Sequence, residues 1–145
     1  MTIKEIGQEI VDEFSIFDDW MDKYNYIIEM GRSLEIIDDF QRNPEHLISG
    51  CQSRVWLSGE YTDGLVYFKA DSDAVITKGI VHLLIRALSG QKPDDIINDP
   101  LDFINEIGLK SHLSPTRANG LNSMVKQMKL YALAFKAKYE SPSNQ

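Results

Sequence analysis

Thiols are almost missing from this chain of 145 residues: Cys51 is its only cysteine. That excludes an internal disulfide and any metal or cluster site needing two or more thiolates from one chain. Cationic side chains are also short, with 15 Lys+Arg against 22 Asp+Glu and a net charge of −7. Such a surface repels phosphate backbones and anionic lipid, so no nucleic-acid partner is expected. Long apolar runs are absent as well. The most apolar stretch, 79–88, is interrupted by His82 and Arg86 and is about half the roughly 20 residues that cross a bilayer. It reads as core, not membrane. The N-terminus has no apolar stretch of the secretory kind, which predicts a cytoplasmic protein. No repeat, phosphate-cradle motif or serine-hydrolase elbow is present. His46, His82 and His112 fall in no ligand spacing, so no metal site and no cofactor are expected, and His82 reads as a satisfied core imidazole.

What is present is 43% hydrophobic and 26% charged residues, enough for one compact domain over 1–140 with a flexible tail at 141–145. Thr2 and Glu5 have capping-box spacing, and Ile3, Ile6, Ile10, Val11 and Phe14 follow on one helical face. A second helix from about Asp18 carries Trp20, Tyr24, Ile27 and Ile28, and Gly31 reads as its stop. Residues 32–49 show no sustained period and contain Asn43-Pro44, so they read as a long connection with a short strand near 46–48. Residues 52–57 and 65–70 are rich in β-branched and aromatic side chains, and Asp63-Gly64 between them signals a hairpin. Asp71-Ser72-Asp73 then reads as a capping cluster for a buried helix over 74–88. Two short helices are expected to begin at Pro93 and Pro100, and a long last helix at Ser114-Pro115. The fold class is therefore α+β: a small antiparallel sheet of two to three strands packed by helices.

Two positions stand out chemically. Cys51 follows Gly50 at a loop-to-strand junction and is flanked by Gln52 and Ser53 rather than by core residues, which favours a reactive thiol over an inert buried one. A free thiol is only a few per cent ionised at neutral pH, so reactivity needs a nearby cation or a partner that supplies one. Arg54 and Arg117 are the candidates within the chain. Arg117 sits in the first turn of the last helix, where the dipole disfavours a cation by roughly 0.3–1 kcal/mol. Gly120, inside the same helix, costs about 1 kcal/mol against alanine and suggests close backbone packing.

Three separated motifs bring these residues together. Gly50-Cys51-Gln52-Ser53 followed by Val55-Trp56, then Asp71-Ser72-Asp73-Ala74 with Lys78-Gly79, then the run from Leu113-Ser114-Pro115-Thr116-Arg117-Ala118-Asn119-Gly120 to Leu121-Asn122-Ser123-Met124 resemble the SufE family of cysteine desulfuration proteins. The resemblance spans nearly the whole chain. It implies a SufE/IscU-like fold and a sulfur acceptor that takes persulfide sulfur from a pyridoxal-phosphate-dependent, SufS-type cysteine desulfurase and stimulates it. The sulfur is then delivered toward iron–sulfur cluster assembly, with a SufB-type scaffold downstream. It places the acceptor thiol on Cys51 and the family's Ser-x-x-Arg-x-x-Gly-Leu arginine on Arg117. Gly50, Gln52, Ser53, Arg54 and Asn119 are implied as the cysteine's surroundings or as partner-facing residues. Ser49 and Arg54 depart from what many relatives carry.

A carrier of this kind is an accessory protein rather than an enzyme, and the pyridoxal phosphate belongs to its partner. The implied exchange needs one thiol, and a second would discharge the persulfide as a disulfide. The expectation is that Cys51 rests in a partly apolar pocket and swings out on docking, with Gly50 in the hinge. The acidic surface implies a locally basic partner patch. Two other readings compete: an IscU-like cluster scaffold, which wants more thiolate or imidazole ligands, and a Cys-dependent thiol enzyme, for which His46 is the only base near in sequence.

Overall fold

The computed structural model describes residues 1–140, and the expected tail at 141–145 lies outside them. Six helices and a two-stranded antiparallel sheet make an α+β fold. Helix α1 (Ile3–Phe14) starts where expected: the Thr2 hydroxyl accepts from the Glu5 amide at 3.1 Å and the Glu5 carboxylate accepts from the Thr2 amide at 3.0 Å. Two orphan donors of the first turn are thereby satisfied. Ile3, Ile10 and Phe14 point into the core from its apolar face.

Helix α2 (Trp20–Arg32) is capped by Asp19 and packs on helix α3 (Val75–Leu88). The crossing is on glycine. A Cβ on Gly79 would fall 2.2 Å from the Ile27 carbonyl oxygen, and one on Gly31 would fall 2.8 Å from the Gly79 nitrogen. Here the expectation that Gly31 stops the helix fails: α2 runs on to Arg32 with Ser33 as its cap. Gly31 is required by the close approach of two backbones rather than by a turn.

Strands β1 (Val55–Thr62) and β2 (Leu65–Ser72) pair from Val55↔Ser72 to Thr62↔Leu65. Asp63 and Gly64 have φ of 55° and 83°, the left-handed pair of a type I′ turn. Both strands run further than the β-rich residues predict, and the first begins three positions later. Gln52, Ser53 and Arg54 therefore stay out of the ladder and belong to the loop that carries Cys51. Leu57, Val66, Phe68 and Ala70 are buried in one core with Ile80, Leu83, Leu84, Ala87 and Leu88 of α3. Leu47 forms a single bridge to Trp56 on the free edge of β1, and Val66 bridges Gln91 on the free edge of β2, so neither edge is fully open.

The connection 32–49 is not structureless. It contains two 3-10 turns, Asp39–Gln41 and Pro44–His46, the second capped by the Asn43 side chain. Arg42 from this connection and Lys78 from α3 both pair with Asp71, which is 6% exposed. Burial pushes the Asp71 carboxyl up, but the Ser72 amide, Lys78 and Arg42 together outweigh it and hold the group below its ordinary range. Asp71 and Ser72 thus end β2 instead of capping a helix. The N-cap of α3 is Ala74, with no side-chain bond to the first turn.

Helix α4 (Pro93–Asn98) begins on proline as expected, whereas α5 (Asp102–Glu106) begins two residues after Pro100, behind a left-handed Leu101 with φ of 54°. Lys129 donates to the carbonyls of Ile97 and Asp99, at 3.2 and 2.7 Å, and so closes the end of α4. Helix α6 (Pro115–Tyr139) is capped by Ser114 and buries Leu121, Met124, Met128 and Ala132. Among the described residues no helix is long and apolar enough to cross a membrane.

His82 departs from the expected satisfied core imidazole. Its Nδ1 is buried without a hydrogen-bond partner among the described residues. Burial first, and then the charge of Arg86, hold it below the ordinary histidine range. Arg86 is itself engaged by Glu13, which also accepts from Tyr26, and lies 3.6 Å from Glu9.

This core sets two expected outcomes. Gly79→Ala forces a methyl group onto a backbone carbonyl and should lower unfolding stability by at least about 1–3 kcal/mol, measured as a denaturant midpoint; an unchanged midpoint would show that the helices part freely. For His82 the folded form resists the proton that the unfolded chain accepts, so stability is full above about pH 6.5 and falls as pH drops below it. His82→Leu should make that acid limb shallower in a pH series of thermal midpoints.

Candidate functional site

The loop before β1 is bent by Gly50, whose φ is +89°. A Cβ at this position would also meet Ser123 Oγ of α6 at 2.5 Å. Conformation and space both demand glycine here. The bend lays Cys51 against α6, where the half-buried thiol donates to the Gly120 carbonyl at 3.6 Å.

Beside the sulfur lies a recess of about 10 Å³, the lower limit for one water-sized occupant. Its inner wall is Ile80 and Thr77 from α3 with Gly120 and Met124 from α6, all buried. Gln52, Ser53, Thr116 and Arg117 complete the lining, and of these Gln52, Thr116 and Arg117 are exposed. Three elements therefore meet at one sulfur: the Gly50 bend, the start of α3 and the first turns of α6.

The residues singled out in sequence separate into two groups. Cys51, Gln52, Ser53 and Arg117 share the recess, and Gly50 shapes the loop that brings them there. Arg54 and Asn119 do not line it. The Arg54 backbone is tied to the β2–α3 junction through the Asp73 carboxylate at 3.0 Å and the Ser72 hydroxyl at 2.8 Å. Asn119 is exposed, with its carbonyl accepting from Ser123 Oγ at 3.1 Å. Sequence reasoning did not single out Thr77, Ile80, Thr116 or Met124 as site residues, although Thr116 and Met124 stand in the third motif. For Thr77 there was a signal, the single hydroxyl of a largely apolar helix. Gly120, read as a site of close backbone packing, has no neighbour nearer to its missing Cβ than Cys51 Sγ at 3.5 Å.

Electrostatically the thiol is at rest. Burial pushes the Cys51 pKa up, and the carbonyl it donates to favours the protonated form. The guanidinium groups of Arg54 and Arg117 are exposed and have no carboxylate within ion-pair distance among the described residues. Of the two, Arg117 puts a positive charge on the rim of the recess. His46 is held in the Pro44–His46 turn with Nδ1 2.9 Å from Asn43 Oδ1, and it does not line the recess. Among the described residues no three His, Cys, Asp or Glu side chains converge as a metal site would require.

Comparison with known proteins matches residues 8–132 to the SufE family, described as an Fe–S metabolism associated domain. An uncharacterized SufE-like protein of Rhizobium meliloti (strain 1021) is 40% identical over 126 residues, which is 83% of this chain and 90% of the relative. An uncharacterized SufE-like protein of Rhizobium etli is 39% identical over 126 residues, 83% of this chain and 85% of the relative. In three dimensions the chain is similar to the solution structure of a hypothetical protein from Thermus thermophilus, with a TM-score of 0.74 at 16% identity over 89% of this chain and 94% of the other. That likeness concerns the fold.

The half-buried, protonated thiol predicts slow alkylation. In the folded protein the iodoacetamide rate at Cys51 should fall below that of an unstructured cysteine peptide, with its pH midpoint above the ordinary thiol value of about 8.5, and denaturant should abolish both differences. A folded-state rate equal to the peptide's would contradict the resting geometry.

Proposed function

The chain belongs to the SufE family, associated with Fe–S metabolism, and on that footing we propose that it is a one-thiol sulfur carrier for a pyridoxal-phosphate-dependent cysteine desulfurase of the SufS type. The observation that carries this reading is the state of Cys51: the only thiol of the chain, half-buried, uncharged at rest and placed beside a recess for about one water-sized occupant. A catalytic thiolate would instead need a base or a cation to hold it ionised.

The step is an exchange between sulfur atoms. Cys51 thiolate attacks the outer sulfur of a persulfide on the donor; the donor's S–S bond breaks, its inner sulfur leaves as a thiolate, and a new S–S bond forms on Cys51. The sulfur count is conserved and no external oxidant enters. A proton must leave Cys51 before the attack, and burial opposes that. Docking of the partner therefore has to draw the thiol off the Gly120 carbonyl and into a setting that ionises it, with Gly50 as the pivot of the loop. Once loaded, the sulfur returns to a site with apolar walls at Ile80 and Met124, where water and stray thiols reach it poorly.

Arg117, exposed on the rim of the recess, is proposed to contact the desulfurase or to stabilise Cys51 as it ionises, and Arg54, Gln52, Ser53 and Asn119 to lie in the same docking surface. Delivery goes on to a SufB-type assembly scaffold. The carrier needs no cofactor of its own, since the pyridoxal phosphate stays with the desulfurase, and its place of work is the cytoplasm. The single cysteine suits this role, because a second thiol would release the stored sulfur as sulfide.

Incubation with a SufS-type desulfurase and cysteine should add one or more sulfur atoms to Cys51 in intact mass spectra, and Cys51→Ser should gain none. No gain on the wild-type chain would refute the proposal. Arg117→Ala should slow transfer from the desulfurase by about tenfold or more, the worth of one charge-assisted contact, while its unfolding midpoint stays within experimental error of the wild type. Parallel losses of transfer and stability would assign Arg117 to the fold.

A further inference from the structure

Gly120 presents a discrepancy that the fold does not resolve. Gly31 and Gly79 are glycine because a side chain would strike backbone, with Cβ contacts of 2.8 and 2.2 Å. Gly120 has no such neighbour: the nearest atom to its absent Cβ is Cys51 Sγ, at an ordinary contact distance of 3.5 Å. It lies well inside α6, where alanine is the better helix former. Alanine would fit beside the thiol, yet the position is empty.

The opposite wall holds a second irregularity. Thr77 is 6% exposed and lines the same recess. Unlike Ser123 and Ser15, whose hydroxyls donate to backbone carbonyls at 3.1 and 2.7 Å, it makes no hydrogen bond through its hydroxyl among the described residues. The hydroxyl is not sealed off, since the enclosed side-chain atoms without a partner among the described residues are Arg42 Nε and His82 Nδ1; it keeps access to open space and is available to donate to an occupant of the recess.

We infer that Gly120 and Thr77 together form the seat of the transferred sulfur, Gly120 by leaving out a methyl group and Thr77 by supplying the side-chain hydrogen-bond donor of the inner wall. This rests on the reading of Cys51 as a sulfur carrier and adds the residues that accommodate its cargo. A sulfur bonded to Sγ lies about 2 Å from it, and a methyl carbon 3.5 Å from Sγ takes the space that sulfur needs. An alkyl persulfide is more acidic than its parent thiol, so the outer sulfur carries negative charge at neutral pH and accepts from the Thr77 hydroxyl. With room for about one atom, the recess shields a single sulfur.

The test compares wild type, Gly120→Ala and Thr77→Val. Each is loaded without any protein partner by inorganic disulfide, HS–S⁻, whose sulfane sulfur passes to Cys51 thiolate with release of sulfide; it is then desalted and followed by intact mass. Wild type should retain one added sulfur. Gly120→Ala should unfold at or above the wild-type midpoint yet lose that sulfur at least about tenfold faster, and Thr77→Val, nearly the same shape without the donor, should lose it roughly tenfold faster, the scale of a hydrogen bond to a charged group. Equal lifetimes in all three, a wild type that keeps no sulfur, or one that holds two sulfurs as long as one would each overturn the seat. A lowered midpoint in Gly120→Ala would return that glycine to a packing role and also count against it.

A desulfurase arm separates the two claims. If the enzyme loads all three variants and their lifetimes agree, the carrier reading stands and the seat falls. If inorganic disulfide gives the expected pattern but the enzyme loads none, the seat stands and the desulfurase reading falls.

Discussion

Everything near Cys51 depends on how closely α3 can approach α2. The approach is backbone to backbone at Gly31 and Gly79, closer than any side chain allows, and it fixes the height of α3 in the molecule. From that position α3 covers the hairpin with Ile80, Leu83 and Leu84 and presents Thr77 and Ile80 to the recess. Lys78, one residue before the crossing, pairs with Asp71 at the end of β2. A displacement of α3 by the width of one methyl group would therefore disturb the helix pair, the buried carboxylate and the recess together. Close-packed interiors transmit such changes because they have no slack to absorb them.

The second constraint is the carboxylate of Asp71. It is buried and shared between Arg42 and Lys78, so it ties the long connection to the first turn of α3. Removing one partner from such a group leaves charge uncompensated in a poor solvent, which makes the tie costly to break. Arg42 also lies over the Trp56 ring at 5.7 Å, so the connection is held against β1 as well. A segment without periodicity is thus ordered by these polar ties together with its two 3-10 turns and the buried Leu34, Ile37 and Ile48, and the Cys51 loop emerges from an anchored base.

The resting chemistry of the site opposes its proposed use, and this is consistent for a carrier. A thiol kept protonated by burial reacts slowly with the oxidants and electrophiles it meets alone. Arg117 stands exposed on the rim of the recess of a chain of net charge −7, which favours an acidic partner patch beside the thiol. The expectation drawn from net charge alone, a basic partner patch, applies to the rest of the surface. Local and global charge point to different complementary surfaces, and at contact distance the local one dominates because screening removes the far field.

Much of the fold was legible before any coordinates. Capping at Thr2 and Ser114, the Asp63-Gly64 turn and the apolar faces of the helices all act within a few residues, so the sequence displays them directly. The same locality made Gly50-Cys51 conspicuous, and the three motifs around Cys51, Asp71 and Arg117 were enough to indicate the family. What could not be read was anything set by contact between distant segments. Gly31 looked like a helix stop because its partner, Gly79, is 48 positions away (79 − 31). Asp71 looked like a cap because Arg42 and Lys78 were not yet beside it, and Arg54 and Arg117 looked equivalent until the recess included one and left out the other. By itself the sequence determined most of the elements and marked the single thiol as the candidate, since propensity, capping and thiol chemistry are properties of short segments. Only the tertiary structure decided what surrounds that atom, because the recess beside it has walls from α3 and α6 and no single stretch of chain encodes an empty space.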